Sequence, residues 1–500
     1  MNIIEQDRSQ TLMFSSIDDI IPSKHPVRVI SYLIETILSQ HRDKYAIRGT
    51  ASTGRPAYSV ETLLKIYIYG YMNRITSSRR LEQETYRNVE LIWLTGNLRP
   101  DHKTISDFRK DNKFLIQQFS KDVKLFLKEM GLIGKSLIAV DGTKVKANAS
   151  RDMLSERKIL ELLKSAEEEL ERYLGQLDEQ DHIESQTDEI ESSNKYLSLI
   201  LAKEQEISRL KAQLEEFKQI GKNHISRTDP DSTLMKSRDG LIPGYNVQLG
   251  SDSENKFIVY EAVTEDANDI DQLKAVPEAL GNELEIIPEK IVADTGYCNL
   301  DMIEKIEEET GIECFISHPK DQNISPKITF TYDETNDMYV CSEGQPLTLE
   351  HRNKKSKKSY VNVYLGRNCQ SCRLKQECTR SKKGRHISRP WNHEYRQRHK
   401  EKTESDHGKQ ISRLRKSTIE HIFGTMKTWL GKIPILTRGV DKVISEIKLF
   451  TSSYNIKHLL NLFSFDKLMS MINAYTKQNA HKKAINFFIR MNIALIRYRV

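Results

Sequence analysis

The sequence predicts a mixed α/β fold preceded by a helical region. Three observations lead there. Residues 17 to 130 repeat apolar side chains at helical spacing. The runs Ser136 to Asn148 and Ile286 to Asp294 are apolar and β-branched without a helical stripe. Downstream of the first run, strand and helix signals alternate instead of segregating. A chain of 500 residues exceeds what one hydrophobic core usually holds, so several structural units are expected. With 38% hydrophobic and 29% charged residues, 22 Gly and 13 Pro, collagen-like, disordered and membrane-embedded classes are excluded. No apolar run is long enough to span a bilayer. The start, Met1 to Asp7, lacks a basic stretch followed by an apolar run, so no secretory signal and a reducing cytoplasm are expected. In that compartment the six cysteines point to metal or free thiols before disulfides.

In chain order, Val27-Ile30-Leu33-Ile34-Ile37-Leu38 marks one helix and Leu63-Leu64-Ile66-Tyr67-Tyr69 a second, with the turn set Thr53-Gly54-Arg55-Pro56 between them. Arg74, Arg79 and Arg80 follow, and Asp101 or Thr104 is placed to cap a further helix. A small DNA-binding unit of helix-turn-helix type fits this region; a helical packing or dimerisation unit fits it equally. Residues 136 to 148 read as a core strand. From 155 to 219, Leu163-Ala166-Leu170-Tyr173-Leu177 and Ile200-Ile207-Leu210-Leu214-Phe217 form two heptad-like stripes, which predict an antiparallel helical hairpin with solvated charged faces. Strands are expected at Tyr245 to Leu249 and Lys256 to Thr264, joined by a polar turn. A helix from Asn268 to Leu280 follows, then a strand ending at Asp294, a helix over 299 to 310 and a strand at Glu313 to Ser317.

The overall formal charge of +7 conceals a division into three parts: +7 over residues 1 to 154, −25 over 155 to 350 and +25 over 351 to 500. A basic segment of that size can neutralise many phosphates, which makes nucleic acid the leading partner by counterion release. A solvated basic surface offsetting the acidic middle is the plainer reading, and motifs must decide between them.

Asp141 and Asp294 each sit at or near the end of an apolar strand, Ile138-Ala139-Val140-Asp141 and Ile291-Val292-Ala293-Asp294. Strand ends border ligand-binding crevices in α/β cores. Two carboxylates meeting there would repel unless a divalent cation such as Mg²⁺ held both ionised; taken singly, each is an ordinary turn-forming Asp. A third acid, Glu420, shares one helical face with Arg413, Lys416 and Lys427, while Thr418, Ile422, Met426 and Trp429 share the opposite one. An acid within a basic stripe suits a metal ligand flanked by phosphate-holding cations. The bland alternative is an exposed ion-pair face, Lys416 with Glu420.

At these residues the chain resembles the DDE transposases of bacterial insertion sequences. The resemblance rests on Ala139-Val140-Asp141-Gly142-Thr143-Lys144, Ala293-Asp294-Thr295-Gly296-Tyr297 and Thr418 to Lys427. In the N-terminal region it rests on Ile21 to Arg28, Gly54-Arg55-Pro56, Ser77-Ser78-Arg79-Arg80 and Pro100 to Ile105. It covers most of the chain apart from the 155 to 219 hairpin.

The resemblance implies an RNase H-like core at 131–154 and 221–319, a helical N-terminal DNA-binding or dimerisation domain at 1–130 and an inserted helical hairpin at 155–220. A basic, Cys-containing insertion at 320–410 would precede the catalytic Glu helix and C-terminal helices at 411–500. It implies that Asp141, Asp294 and Glu420 bind two Mg²⁺ ions, for which Mn²⁺ can substitute. The activity implied is nicking of element-end DNA and joining of its 3′-hydroxyl to target DNA by in-line displacement, without a covalent protein–DNA intermediate, so that Tyr297 need not be a nucleophile. Arg79, Arg80, Lys144, Arg413, Lys416 and Lys427 would contact DNA. In one branch of the family a Tyr, an Arg, the Glu and a Lys are spaced along the last helix; Glu420 and Lys427 keep that spacing, while Arg413 and Lys416 stand at the Tyr and Arg positions. Double-stranded DNA, both the element's terminal inverted repeats and the target, a homodimer that synapses two ends, and a cytoplasmic, nucleoid-associated location complete the expectation. A transposase-derived, catalytically silent DNA-binding regulator is the alternative, and the intact acids argue against it.

Within the 320–410 region, Cys341, Cys369, Cys372 and Cys378 include one C-x-x-C pair and could hold a structural zinc or remain reduced core thiols. Cys298 and Cys314 read as buried thiols. Residues 351 to 400 hold 16 Lys/Arg against 2 Asp/Glu, with Tyr360, Tyr364, Trp391 and Tyr395 among them, a composition suited to gripping backbone phosphates and unstacked bases.

Overall fold

A computed structural model describes residues 16–45, 57–150, 153–184, 193–220, 224–237, 240–319, 328–354, 360–430 and 435–497. The expected features at Met1 to Asp7 and at Thr53 to Pro56 lie outside the described residues.

Six helices open the chain: α1 (Pro26–Gln40), α2 (Val60–Met72), α3 (Ser78–Arg87), α4 (Val89–Leu94), α5 (His102–Asp111) and α6 (Lys113–Glu129). Their starts have local causes. Pro26 occupies the first turn of α1, where its missing N–H costs nothing, and Ser59 accepts from Thr62 N at the start of α2. Of the two residues placed to cap α5, Asp101 does so, its Oδ1 accepting from Thr104 N at 2.7 Å. Strand β1 (Leu137–Lys146) follows, then β2 (Met153–Leu154) and the long helices α7 (Glu156–Glu184) and α8 (Ser193–Ile220). These two pack together through Ala166, Ile207 and Leu210 and, nearer their base, through Ile159 and Phe217. Beyond them come β3 (Ile225–Ser226), β4 (Thr233–Ser237), β5 (Gly240–Asp252), β6 (Ile258–Thr264), α9 (Ala275–Leu284), β7 (Lys290–Ala293), α10 (Leu300–Thr310) and β8 (Glu313–Ile316). The helix expected from residue 268 starts at Ala275 and runs to Leu284, after a 3-10 turn at Gln272–Lys274.

The main sheet has the order β4-β5-β1-β7-β8, with β6 also on β5; β7 is parallel to β1 and to β8, and β5 is antiparallel to β4 and β6. Contacts divide the chain into two compact units, one of Met1–Gly134, Asp141–Asn268 and Ile419–Val500, the other of Lys135–Val140 and Asp269–Thr418. Strand β1 passes from the second unit into the first between Val140 and Asp141.

The first unit contains the N-terminal helices, β4 to β6 and two C-terminal helices, α14 (Val440–Leu462) and α15 (Phe465–Arg497). Helix α14 packs on α6, α2 and β6, and the middle of α14 is buried on every side. Its Asn455 serves the edge of β6 like a missing strand, accepting from Ile258 N at 2.9 Å and donating to Ile258 O at 2.8 Å. Close by, the fully buried Glu261 of β6 accepts through one oxygen from Ser120 at 3.0 Å, Lys124 at 2.9 Å and Lys448 at 2.8 Å. Burial alone would raise the Glu261 pKa, but the two ammonium groups outweigh it and hold the carboxyl below its ordinary range.

The second unit holds the β7 and β8 region and, beyond it, an antiparallel five-stranded sheet. Its strands are β9 (Phe330–Asp333), β10 (Met338–Cys341), β11 (Pro346–Lys354), β12 (Tyr360–Leu365) and β13 (His386–Pro390), in the order 13-12-11-10-9. Tyr339, Leu347 and Tyr364 form its core. Helices α11 (Lys375–Cys378) and α12 (His393–Glu404) follow, and α13 (Asp406–Leu430) leads back to the first unit. Helix α12 is clamped to α10 by Arg396 to Asp301, Lys402 to Glu307 at 2.6 Å and Tyr395 to Glu307 at 2.8 Å.

Candidate active site

Asp141 does not end its strand: β1 continues five residues beyond it to Lys146. Residues Ile138, Ala139 and Val140 before it are fully buried, which fixes the strand, and the half-buried Asp141 accepts from Gly142 N at 2.9 Å. The continuation is held by β5, where Pro243 O accepts from Ala147 N at 3.0 Å. Gly244 is required beside it, because a side-chain carbon there would meet Val145 O at 2.6 Å. Lys144, three residues beyond Asp141, is half-exposed.

Asp294 follows β7 directly and caps a 3-10 turn at Thr295–Tyr297, its Oδ1 accepting from Gly296 N at 2.8 Å. The paired couples Leu137 with Lys290, Ile138 with Ile291 and Ala139 with Val292 fix the register of β1 and β7. Asp141 and Asp294 each come two residues after the last of these couples. Tyr297 is fully buried, so its ring anchors the turn. A carbon built on Gly296 would stand 3.0 Å from Asp294 Oδ1 and 3.7 Å from Asp269 Oδ2, so this glycine lies between two carboxylates. Asp269 is an addition that sequence reasoning missed, although the run Asp266-Ala267-Asn268-Asp269-Ile270-Asp271 advertised an acidic loop. From the same loop, Asp271 accepts from Asn299 Nδ2 at 2.8 Å.

Glu420 is exposed on α13, and Arg413, Lys416 and Lys427 are exposed on the same helix, while Thr418, Ile422, Met426 and Trp429 are buried. In the first unit the apolar face meets α14, where Trp429 packs edge-on against Phe450 at 5.6 Å between centroids and His421 Nε2 lies 3.0 Å from Tyr454 Oη. The segment that leaves α13 is tied to the end of the Asp141 strand: Ile435 N donates to Lys146 O at 3.1 Å, Asn148 Nδ2 to Leu436 O at 3.1 Å and Arg438 Nε to Asn148 O at 3.0 Å. Glu446 accepts from Leu436 N and Thr437 N, and Gly439, at φ +84°, donates its N–H to Asp229 at 3.0 Å. The end of β1 and residues 435–439 therefore share one set of anchors.

The four cysteines of the basic region are brought together. Cys341, Cys369, Cys372 and Cys378 all line one cavity of about 30 Å³, and none forms a disulfide. Cys314 is buried, with its thiol pushed up to about 12 by burial, whereas Cys298 is only half-buried. Of the four aromatics read as candidates for base contacts, Tyr364 is fully buried in the sheet core and Tyr395 is bound to Glu307, so both are structural; Trp391 is exposed. Arg79 and Arg80 are exposed in the first turn of α3. Among the described residues, no group of three or more His, Cys, Asp or Glu side chains stands at metal-ligand spacing.

Residues 15–111 match a family described as Transposase domain (DUF772), and residues 340–460, which include Glu420 and the four cysteines, match one described as Transposase DDE domain. The chain carries a transposase DDE domain. Both matches are to domains of transposases. No curated protein matches the chain. Among solved structures it is similar to a piggyBac transposase in a synaptic complex with hairpin DNA, at 8% identity and a TM-score of 0.30, covering 94% of this chain and 84% of that one. A TM-score that low supports no residue correspondence.

Proposed function

We propose that the transposase binds the ends of its insertion element, nicks them by metal-dependent phosphodiester hydrolysis and joins the freed 3′-hydroxyl to target DNA by transesterification. One observation carries the reading: a family match to a transposase DDE domain covers the stretch of chain where Glu420 stands among exposed cations. Asp141 and Asp294 each directly follow a buried apolar strand run, Ile138-Ala139-Val140 and Ile291-Val292-Ala293, which supports it from each unit taken by itself. On this reading the main sheet is an RNase H-like core, with α7 and α8 as one insertion and the β9 to β13 region as another.

Asp141, Asp294 and Glu420 would hold two divalent cations. The donor set fits, since it is entirely carboxylate oxygen and none of the three side chains is buried, the surroundings Mg²⁺ takes with water and phosphate completing its shell. Bound there, the ions would supply activation of the attacking oxygen and neutralisation of the leaving one. The chain's own residues do the rest. The Gly296 N–H fixes the Asp294 carboxylate through one oxygen and leaves the other to a ligand. Arg413, Lys416 and Lys427 carry exposed charges along the Glu420 helix and would hold the neighbouring phosphates, with Lys144 doing so from β1 and Arg79 and Arg80 from α3. Two element ends have to be synapsed, for which a second copy of the chain is the simplest provision.

The direct test is incubation of the purified transposase with DNA spanning both ends of its element, with and without Mg²⁺, followed by mapping of the 3′ ends. Nicks at the element boundary only in the presence of Mg²⁺ are expected. Sequence-specific binding without cleavage in Mg²⁺ or Mn²⁺ would favour a DNA-binding regulator instead.

A further inference from the structure

We propose that Cys341, Cys369, Cys372 and Cys378 together hold one structural zinc ion, as a tetrahedral tetrathiolate that pins the basic segment between β12 and β13. The four sulfurs come from separate local structures: the end of β10, a 3-10 turn at Arg367–Ser371, the residue that closes that turn, and the last residue of α11. They nevertheless line one cavity of about 30 Å³, room for a body the size of one water molecule, walled otherwise by side chains such as Ile328, Phe330, Leu347 and Leu374. An all-sulfur set of four is what zinc takes in closed structural sites.

Two further observations point the same way. Arg385 N lies 3.5 Å from Cys369 Sγ as a donor, and a carbon built on Gly366 would stand 2.9 Å from the same sulfur, so the backbone wraps it closely. Backbone donors of this kind satisfy a metal-bound thiolate. The segment also lacks a core of its own: from residue 367 to 383 none is buried. Small elements without a core need a staple, and a metal is one of the few available. The sulfurs line the cavity without standing at ligand spacing, so binding requires them to close onto the ion. Each thiol gives up its proton on binding, and the resulting tetrathiolate, net −2 with the ion, has Lys375 and Arg385 in the cavity wall and belongs to a segment that also carries Arg367, Arg373, Lys382 and Lys383. The staple would hold these cations in one arrangement.

The test uses the full chain, purified under reducing conditions in chelator-free buffer. Elemental analysis is expected to give about one zinc per chain, and a Cys369→Ser/Cys372→Ser variant close to none. Replacement of the metal by Co²⁺ in the unmodified chain should give the intense visible bands of tetrahedral thiolate coordination, a readout that survives if the variant fails to fold. A chain that takes up neither zinc nor Co²⁺ after reduction, one in which the four cysteines are recovered as disulfides, or one whose Co²⁺ spectrum is octahedral would overturn the proposal.

Discussion

Glu261 and Glu420 belong to the same unit and both are glutamates attended by cations, yet their surroundings give them opposite tasks. Glu261 is sealed among α6, β6 and α14, with two ammonium groups within 3 Å and no access to water. Its charge is spent entirely on partners that the fold supplies. Glu420 is exposed on a helix whose cations are also exposed, where water screens the interactions between them. A buried acid with fixed cations braces three elements, whereas an exposed acid in a basic stripe keeps the access to solvent that the proposed metal and phosphate contacts require.

Exchanging the roles gives the largest effect. Glu420→Gln is expected to lower Mg²⁺-dependent nicking of element-end DNA at least about 10³-fold, or ~4 kcal/mol in transition-state stabilisation. Thermal melting of this variant should match the parent, because an exposed side chain is changed. A nicking assay paired with a melting curve reads both quantities, and loss of fold would assign Glu420 to the brace class.

Glu261→Gln should do the reverse. It leaves Lys124 and Lys448 buried against each other without an anion, at a cost of about 3–5 kcal/mol in unfolding free energy. The nicking rate per folded molecule should not change, and urea titration with activity normalised to the folded fraction measures both. The same brace predicts a pH dependence. Because the Glu261 pKa is lowered from 4.5 in the folded chain, its contribution is complete above that value and is lost as pH falls below it through the folded pKa. The stability gap between the parent and Glu261→Gln should narrow accordingly at acid pH; a gap that stays constant would show that packing, not charge, sets the cost.

The smallest effects belong to the cations around Glu420. Lys416→Gln and Lys427→Gln should each weaken binding evenly across DNA sequences and reduce the slope of log affinity against log salt by about 1, with no change in melting. An unchanged slope would remove that lysine from the phosphate contacts.

The same pair of acids shows what a sequence can reveal. The Glu420 face was legible because the division between buried and exposed positions of α13 follows a period of 3.6 residues. The Glu261 brace was not, because Lys124 and Lys448 lie 137 and 187 residues away and only the tertiary fold brings them to β6. Strands β1, β7 and β8 announced themselves through apolar runs buried on both faces. The β9 to β13 sheet did not, since its strands are mostly short and only partly buried, with polar residues breaking up the apolar ones. The cysteines could be read from their spacing, but their meeting at one cavity depends on how two turns fold. Asp269 escaped notice because a loop acid looks the same whether it faces solvent or another carboxylate.

The central claim is that Asp141, Asp294 and Glu420 are ligands of the catalytic metal, and a metal-specificity exchange at Asp294 tests it most directly. A thiolate is a poor ligand for Mg²⁺ and a better one for softer ions. Asp294→Cys should therefore be inactive in Mg²⁺ and regain measurable nicking in Mn²⁺, while the parent uses both ions. Equal loss of activity in the two ions, or full activity in Mg²⁺, would contradict the assignment.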